Sequence, residues 1–178
     1  MAAAIRAFDI LYREYYVRVF GLCRRLLNSA PLAEDATQET FMRAYKNFSR
    51  YDNQQPFWQW IASIANHYCI DVLRQRQRSQ KLFDTEQEEV EQIESPGPHG
   101  VAVLIRGEDQ ESLNAALHAL PDKYRVPLVL LYFSELSYDQ IADELELTQS
   151  HVGVLLLRAK QHLRNQLLEL EKHKEPNQ

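Results

Sequence analysis

The sequence predicts an all-α fold: two small helical domains, an N-terminal helical bundle and a C-terminal helix-turn-helix, joined by an acidic flexible linker. Three observations predict it. Apolar residues recur at spacings of three and four in segment after segment, which is the period of one helix face. The 178 residues hold only five glycines, and helix formers dominate. Between two such blocks, Asp84–Gly100 is acidic, nearly free of large apolar residues and interrupted by Pro-Gly-Pro, the composition of a linker. The boundaries read from these signals are 1–81, 82–107 and 108–174, with a tail at 175–178.

Residues 8–27 place Phe8, Leu11, Tyr15, Val19, Leu22, Cys23 and Leu26 on one face of a first helix. Asn28-Ser29-Ala30-Pro31 breaks it, and Pro31 suits the opening turn of the next. That second helix turns Ala33, Thr37, Thr40, Phe41, Ala44 and Phe48 inward. Ser49–Gln55 is a polar loop, and Pro56 opens a third helix striped by Phe57, Trp60, Ile61, Ile64, Ala65, Tyr68 and Val72. This helix ends in the basic run Arg74-Gln75-Arg76-Gln77-Arg78. Three helices with short connections close one core.

Beyond the linker, helical spacing resumes at Leu113, Ala116, Leu117 and Leu120, followed by a helix over roughly 122–133 that Pro127 is expected to bend. Ser137-Tyr138-Asp139-Gln140 has the Ser-x-x-Gln form of a capping box. It opens a short helix carrying Ile141, Ala142 and Leu145. A turn at Glu146-Leu147 and a cap at Thr148 lead into a last helix running past Leu163. Two helices around a tight turn, with Ala142, Val152 and Leu156 apolar, read as a helix-turn-helix.

Charge divides the chain in the same way. Residues 1–81 carry 12 Lys+Arg against 7 Asp+Glu, residues 82–105 carry 6 acids and no base, and residues 106–178 carry 8 bases against 12 acids. The asymmetry suggests different partners for each part. Two cysteines cannot build a disulfide framework. No apolar run reaches the ~18 residues of a membrane span, and Met1–Arg6 is no signal peptide. A cytoplasmic protein without membrane insertion is expected.

Several groups of residues carry a functional reading beside a plain one. Asp35, Gln38, Glu39 and Met42 share one face of the second helix, away from its core stripe. They form either a solvated helix face or a docking stripe for a basic partner, with Met42 as an adaptable contact. Both tryptophans, Trp58 and Trp60, stand two residues apart at the mouth of the third helix, so they point in different directions. Trp60 falls on the core stripe, which leaves Trp58 at its edge. Asn53, Gln54 and Gln55 are amides able to read base edges, Trp58 can stack on a base, and Arg74, Arg76 and Arg78 can track phosphates. The plain alternative is a solvated basic helix end. His67-Tyr68-Cys69 is compact, but residues two apart do not share a helix face and no second pair stands at ligand spacing. No metal site, cofactor or catalytic residue is expected, since there is no nucleophile–base pair, glycine-rich phosphate loop or set of paired acids.

The run Ala33-Glu34-Asp35-Ala36-Thr37-Gln38-Glu39-Thr40-Phe41, followed by Pro56–Ile61, Ile64-Ala65 and Ile70-Asp71, resembles the promoter-melting domain of bacterial sigma factors. Ala116–Arg125 leading into Leu136–Ala142, with Arg158-Ala159-Lys160 and Leu163 beyond, resembles that family's C-terminal helix-turn-helix domain. Two such domains and a linker, with nothing else, are similar to the extracytoplasmic-function group.

The resemblance implies a specificity subunit that binds core RNA polymerase, directs it to promoters and opens the −10 region. Asp35, Gln38, Glu39 and Met42 would meet the clamp coiled coil of the β′ subunit. Arg50, Asp52, Asn53, Gln54, Gln55, Trp58, Ser63, Asn66, Arg74, Arg76 and Arg78 would take the −10 element, with one base flipped into the 52–55 loop. Lys123, Arg125, Gln149, Ser150, His151, Arg158 and Lys160 would take the −35 element while the domain sits on the β flap. The linker would thread the RNA-exit region, and an anti-sigma factor is an expected partner.

The chain departs from the family pattern at several points. Ser63 and Asn66 stand where large polar residues are usual, and Glu146 occupies the turn position where glycine is favoured. Val154 and Leu157 place apolar groups on the face meant for DNA. Two other readings compete: a stand-alone helix-turn-helix regulator binding duplex DNA, and a helical interaction protein with degenerate DNA surfaces. Net charge disfavours the first of these, since a self-sufficient binder must neutralise several phosphates.

Overall fold

The computed structural model describes residues 2–76 and 110–174; the expected linker, Arg78 and the 175–178 tail lie outside them. Every regular element among the described residues is helical, and they form two compact units. None of these helices is long and apolar enough to cross a membrane.

In the first unit, α1 (Ala2–Leu27), α2 (Ala30–Asn47), a 3-10 turn (Phe48–Arg50) and α3 (Phe57–Arg76) pack around one core. Helix α1 starts earlier than the apolar pattern indicated, because the alanine-rich stretch ahead of Phe8 has high helix propensity but no period to read. It stops at Asn28, which takes a left-handed conformation (φ 52°) and donates its N–H to the Arg24 carbonyl. Asparagine tolerates that region better than other residues.

Helix α2 buries Ala33, Ala36, Thr37, Thr40, Phe41 and Ala44, close to the expected face. The enclosed Thr37 and Thr40 hydroxyls donate to the carbonyls one turn back, at 2.6 and 2.7 Å, so neither is left unsatisfied. Cys23 and Cys69 meet inside the core as free thiols. The hydrogen bond to Cys23, and then burial, hold the Cys69 thiol well above its ordinary value.

Helix α3 corrects the sequence reading. Its buried face is Phe57, Trp58, Ile61, Ala62, Ala65, Asn66, Cys69, Ile70 and Leu73. The expected stripe is therefore turned by about one residue, or ~100° of helix. Large residues at 60, 64, 68 and 72 drew the pattern one way, whereas the small Ala62, Asn66 and Cys69 are what the neighbouring helices accept.

The second unit comprises α4 (Gln110–Ala119), α5 (Asp122–Tyr132), α6 (Tyr138–Leu145) and α7 (Gln149–Lys174), with α7 packed on the other three. Helix α5 runs through Pro127. The capping box forms: the Gln140 N–H donates to Ser137 Oγ, and the Ser137 N–H donates back to Gln140 Oε1. Helix α6 ends at Glu146 in the left-handed region (φ 58°, ψ 42°), and the Leu147 N–H reaches back to the Ala142 carbonyl at 2.9 Å. Thr148 then caps α7 by accepting from the His151 N–H. The helix-turn-helix geometry is thus set by two caps and one strained residue.

Candidate nucleic-acid interface

In the first unit the outer face of α2 carries Asp35 and Gln38 in solvent, Glu39 partly covered and Met42 53% exposed. The Glu39 carboxylate accepts from Arg43 Nε at 2.6 Å, and the Arg43 guanidinium also lies 5.0 Å over the Tyr68 ring. Arg43 was missed in the sequence, although its position four residues after Glu39 is the spacing of a helical ion pair.

Between the 3-10 turn and α3, residues Asp52, Asn53, Gln54 and Gln55 are all exposed, as is Arg50. The loop is nonetheless well tied. The Gln54 N–H donates to Asp52 Oδ1 and the Gln55 N–H donates to the Asp52 carbonyl, both at 3.0 Å. The Tyr51 hydroxyl donates to the Gln55 carbonyl at 2.5 Å. Burial raises the Tyr51 phenol above its ordinary value, with Tyr15 and Asp52 adding to the effect. The hydroxyl therefore keeps its proton, and remains a donor, throughout the physiological range.

Tyr51, at the start of the loop, packs on a floor of rings. Tyr51 stands 4.9 Å from Trp60, 5.5 Å from Phe57 and 6.1 Å from Phe48, and Phe57 is 5.6 Å from Trp60. The two tryptophans exchange their expected roles. Trp58 is buried at 5% exposure, stacked on Tyr15 (6.5 Å, 14°) with the Arg18 guanidinium 3.7 Å above its ring. Trp60 is half-buried and belongs to the loop's floor. The 100° turn of α3 causes the exchange.

The remaining candidates on α3 divide. Ser63 is half-buried and donates to the Trp60 carbonyl at 2.7 Å. Asn66 lies on the buried face, so the expectation that it meets DNA is corrected. Arg74 is half-buried and Arg76 exposed at the helix end.

In the second unit, Gln149 and Ser150 are exposed and His151 is half-buried at the start of α7. Val154 and Leu157 are half-buried, off the fully enclosed stripe of Val152, Leu155, Leu156 and Ala159. Three basic residues expected at the −35 element are placed inward instead. Arg125 is 1% exposed, donates to the Leu120 carbonyl at 2.9 Å and pairs with Asp122. Arg158 and Lys160 are each 8% exposed. A charge inside a small helical unit must be satisfied where it lies, and Arg125 ties the α4–α5 junction in doing so. Lys123 is half-buried with its ammonium 4.9 Å over Tyr124.

Residues 11–79 match the Sigma-70 region 2 family and residues 110–163 the Sigma-70 region 4 family. The chain is 32% identical over 170 residues to the ECF RNA polymerase sigma factor SigW of Bacillus subtilis, covering 92% of this chain and 90% of that protein. It is 30% identical over 158 residues to SigM of the same organism, covering 88% and 92%. It is 28% identical over 163 residues to the RNA polymerase sigma-H factor of Pseudomonas aeruginosa, covering 88% and 83%. Among solved structures, the fold is similar to that of RpoE in complex with the anti-sigma factor NepR from Bartonella quintana. That likeness has a TM-score of 0.57 at 20% identity, over 96% of this chain and 99% of that one. Two regions matched in order, with relatives matched over most of their length, show that the chain belongs to the extracytoplasmic-function sigma factors, which direct RNA polymerase to promoters.

Proposed function

We propose that the first unit carries both the main polymerase contact and most of the promoter discrimination. The outer face of α2, with Asp35, Gln38, Glu39 and Met42, docks on the β′ clamp coiled coil. The loop of Asp52, Asn53, Gln54 and Gln55 receives a flipped base of the −10 non-template strand, Arg50 and Arg76 steer the backbone, and Trp60 rather than Trp58 supports the pocket. Unstacking one base costs a few kcal/mol, which a polar loop and an aromatic surface can offset. The observation that carries this reading is an amide-rich loop, exposed at its tip yet tied at both ends over a floor of rings.

The second unit sits on the β flap and reads the −35 element through Gln149, Ser150 and His151, with Val154 and Leu157 able to touch thymine methyls. Its reading is weak, because the unit is acidic and Arg125, Arg158 and Lys160 are turned inward. The same acidity disfavours a stand-alone duplex binder. The protein acts in the cytoplasm, and the apolar face at Val154 and Leu157 is available to an anti-sigma factor when DNA is absent.

In vitro transcription with core polymerase, scrambling the −10 and −35 elements separately, tests this division. The downstream scramble is expected to cost more activity. A larger loss from the upstream scramble would overturn the assignment.

A further inference from the structure

The 51–55 segment contains a feature that the base-reading proposal does not use. Four of its residues are solvent-exposed, yet three hydrogen bonds cross it within five residues. Two are local turn bonds that Asp52 accepts, one on its carboxylate from the Gln54 N–H and one on its backbone carbonyl from the Gln55 N–H. The third differs, because it comes from a ring anchored elsewhere. Tyr51 lies against Phe48, Phe57 and Trp60, which belong to the 3-10 turn and α3, so its hydroxyl ties the far end of the loop to the rigid part of the unit. Asn53 and Gln54 occupy the tip between the tied ends. Their backbone course is tied by the Asp52 turn, and the Tyr51 ring that closes the segment rests on Phe57 and Trp60.

We propose that Tyr51 is a positioning residue for base discrimination: its hydroxyl latches the Gln55 carbonyl and so holds the Asn53–Gln54 tip at one height and register above the Phe57–Trp60 floor. The proposal rests on the reading of this loop as the −10 base pocket. Without the latch the loop keeps its Asp52 turn but is free to tilt, so several bases can enter in partly bonded poses and the preference for one base flattens. Removing the hydroxyl alone leaves the ring, and hence the floor, in place. A purely structural role for Tyr51 would change all promoters equally, whereas a latch changes the ranking of bases at one position.

The experiment uses the full chain with core polymerase on templates bearing each of the four bases at every −10 position. Open-complex formation is measured for the wild type, Tyr51→Phe, Asn53→Ala and Gln54→Ala, with core affinity and melting temperature alongside. Tyr51→Phe is expected to reduce discrimination at a single position by roughly three- to tenfold, the effect of losing about one hydrogen bond. Asn53→Ala or Gln54→Ala is expected to act at the same position, with core affinity unchanged in all three. If Tyr51→Phe keeps the wild-type preference while a tip variant loses it, the latch is overturned and the loop pocket stands. If Tyr51→Phe lowers activity uniformly across templates, the latch is likewise overturned, in favour of a structural tyrosine. If neither it nor the tip variants alter any base preference, the loop reading itself fails, and the latch with it.

Discussion

Replacing Trp58 by alanine separates the two tryptophans most sharply. At 5% exposure, stacked on Tyr15 and covered by the Arg18 guanidinium, Trp58 leaves a void that helical neighbours can only partly close. Large-to-small truncation of a buried tryptophan costs about 3–5 kcal/mol. A unit of this size shifts its midpoint by about 4–8 °C per kcal/mol, so the first unit should melt roughly 12–40 °C lower. Trp60→Ala removes a half-buried ring from the loop's floor and should cost less stability while slowing strand opening more. Differential scanning calorimetry of both variants, with permanganate footprinting of the promoter at a temperature where each is folded, reads the two effects separately. If Trp58→Ala melts within a few degrees of the wild type and loses strand opening, Trp58 faces DNA and the packing argument is wrong.

Other expectations follow from single features. Gln38→Ala combined with Glu39→Lys should weaken core polymerase binding by about tenfold, equivalent to ~1.4 kcal/mol. The fold should survive, since the exposed Glu39–Arg43 pair contributes only a few tenths of a kcal/mol; unchanged affinity in a core titration would count against the α2 docking face. Glu146→Gly should stabilise the second unit by about 0.5–1 kcal/mol. It relieves ~1–2 kcal/mol of left-handed strain at φ 58° and incurs part of glycine's backbone entropy in return, and a lower melting midpoint would contradict this. Gly153→Ala should also stabilise, by up to ~1 kcal/mol, because a Cβ there meets nothing within 4 Å, and chemical denaturation measures it.

How much was legible in the sequence depended on which force decided each feature. The capping box at Ser137 and Gln140, the Thr148 cap and the linker composition are local chemistry, and a short window contains all of it. The buried face of α2 was legible because Phe41 and its small neighbours keep a clean period. The face of α3 was not, because Trp60, Ile64 and Tyr68 outweigh alanine, asparagine and cysteine in any hydrophobic pattern, while the core selects for fit. The same limit hid the inward turn of Arg125, Arg158 and Lys160. A long basic side chain can bury its stem, and only the packed neighbours reveal that it does. Tyr51 was legible in principle, four residues before Gln55, but its latch depends on a carbonyl that no side-chain pattern records.

The inward-turned charges also bear on how a sigma factor of this kind works. Duplex affinity depends on how many phosphates a protein neutralises, and each contact withdrawn lowers both the affinity and its salt dependence. The described part of the second unit leaves few bases outward, beside acids at Asp139, Asp143 and Glu146. On this reading, such a unit alone would bind DNA too weakly to occupy promoters. On the proposed division of roles, the same unit, held on polymerase beside a melting unit at the −10 element, would meet its site at a high effective concentration, where a few contacts from Gln149, Ser150 and His151 would suffice. Weak upstream reading is then useful. It would keep free sigma off the chromosome and make promoter occupancy conditional on polymerase, leaving the choice of promoter to the proposed base-reading loop that follows Tyr51.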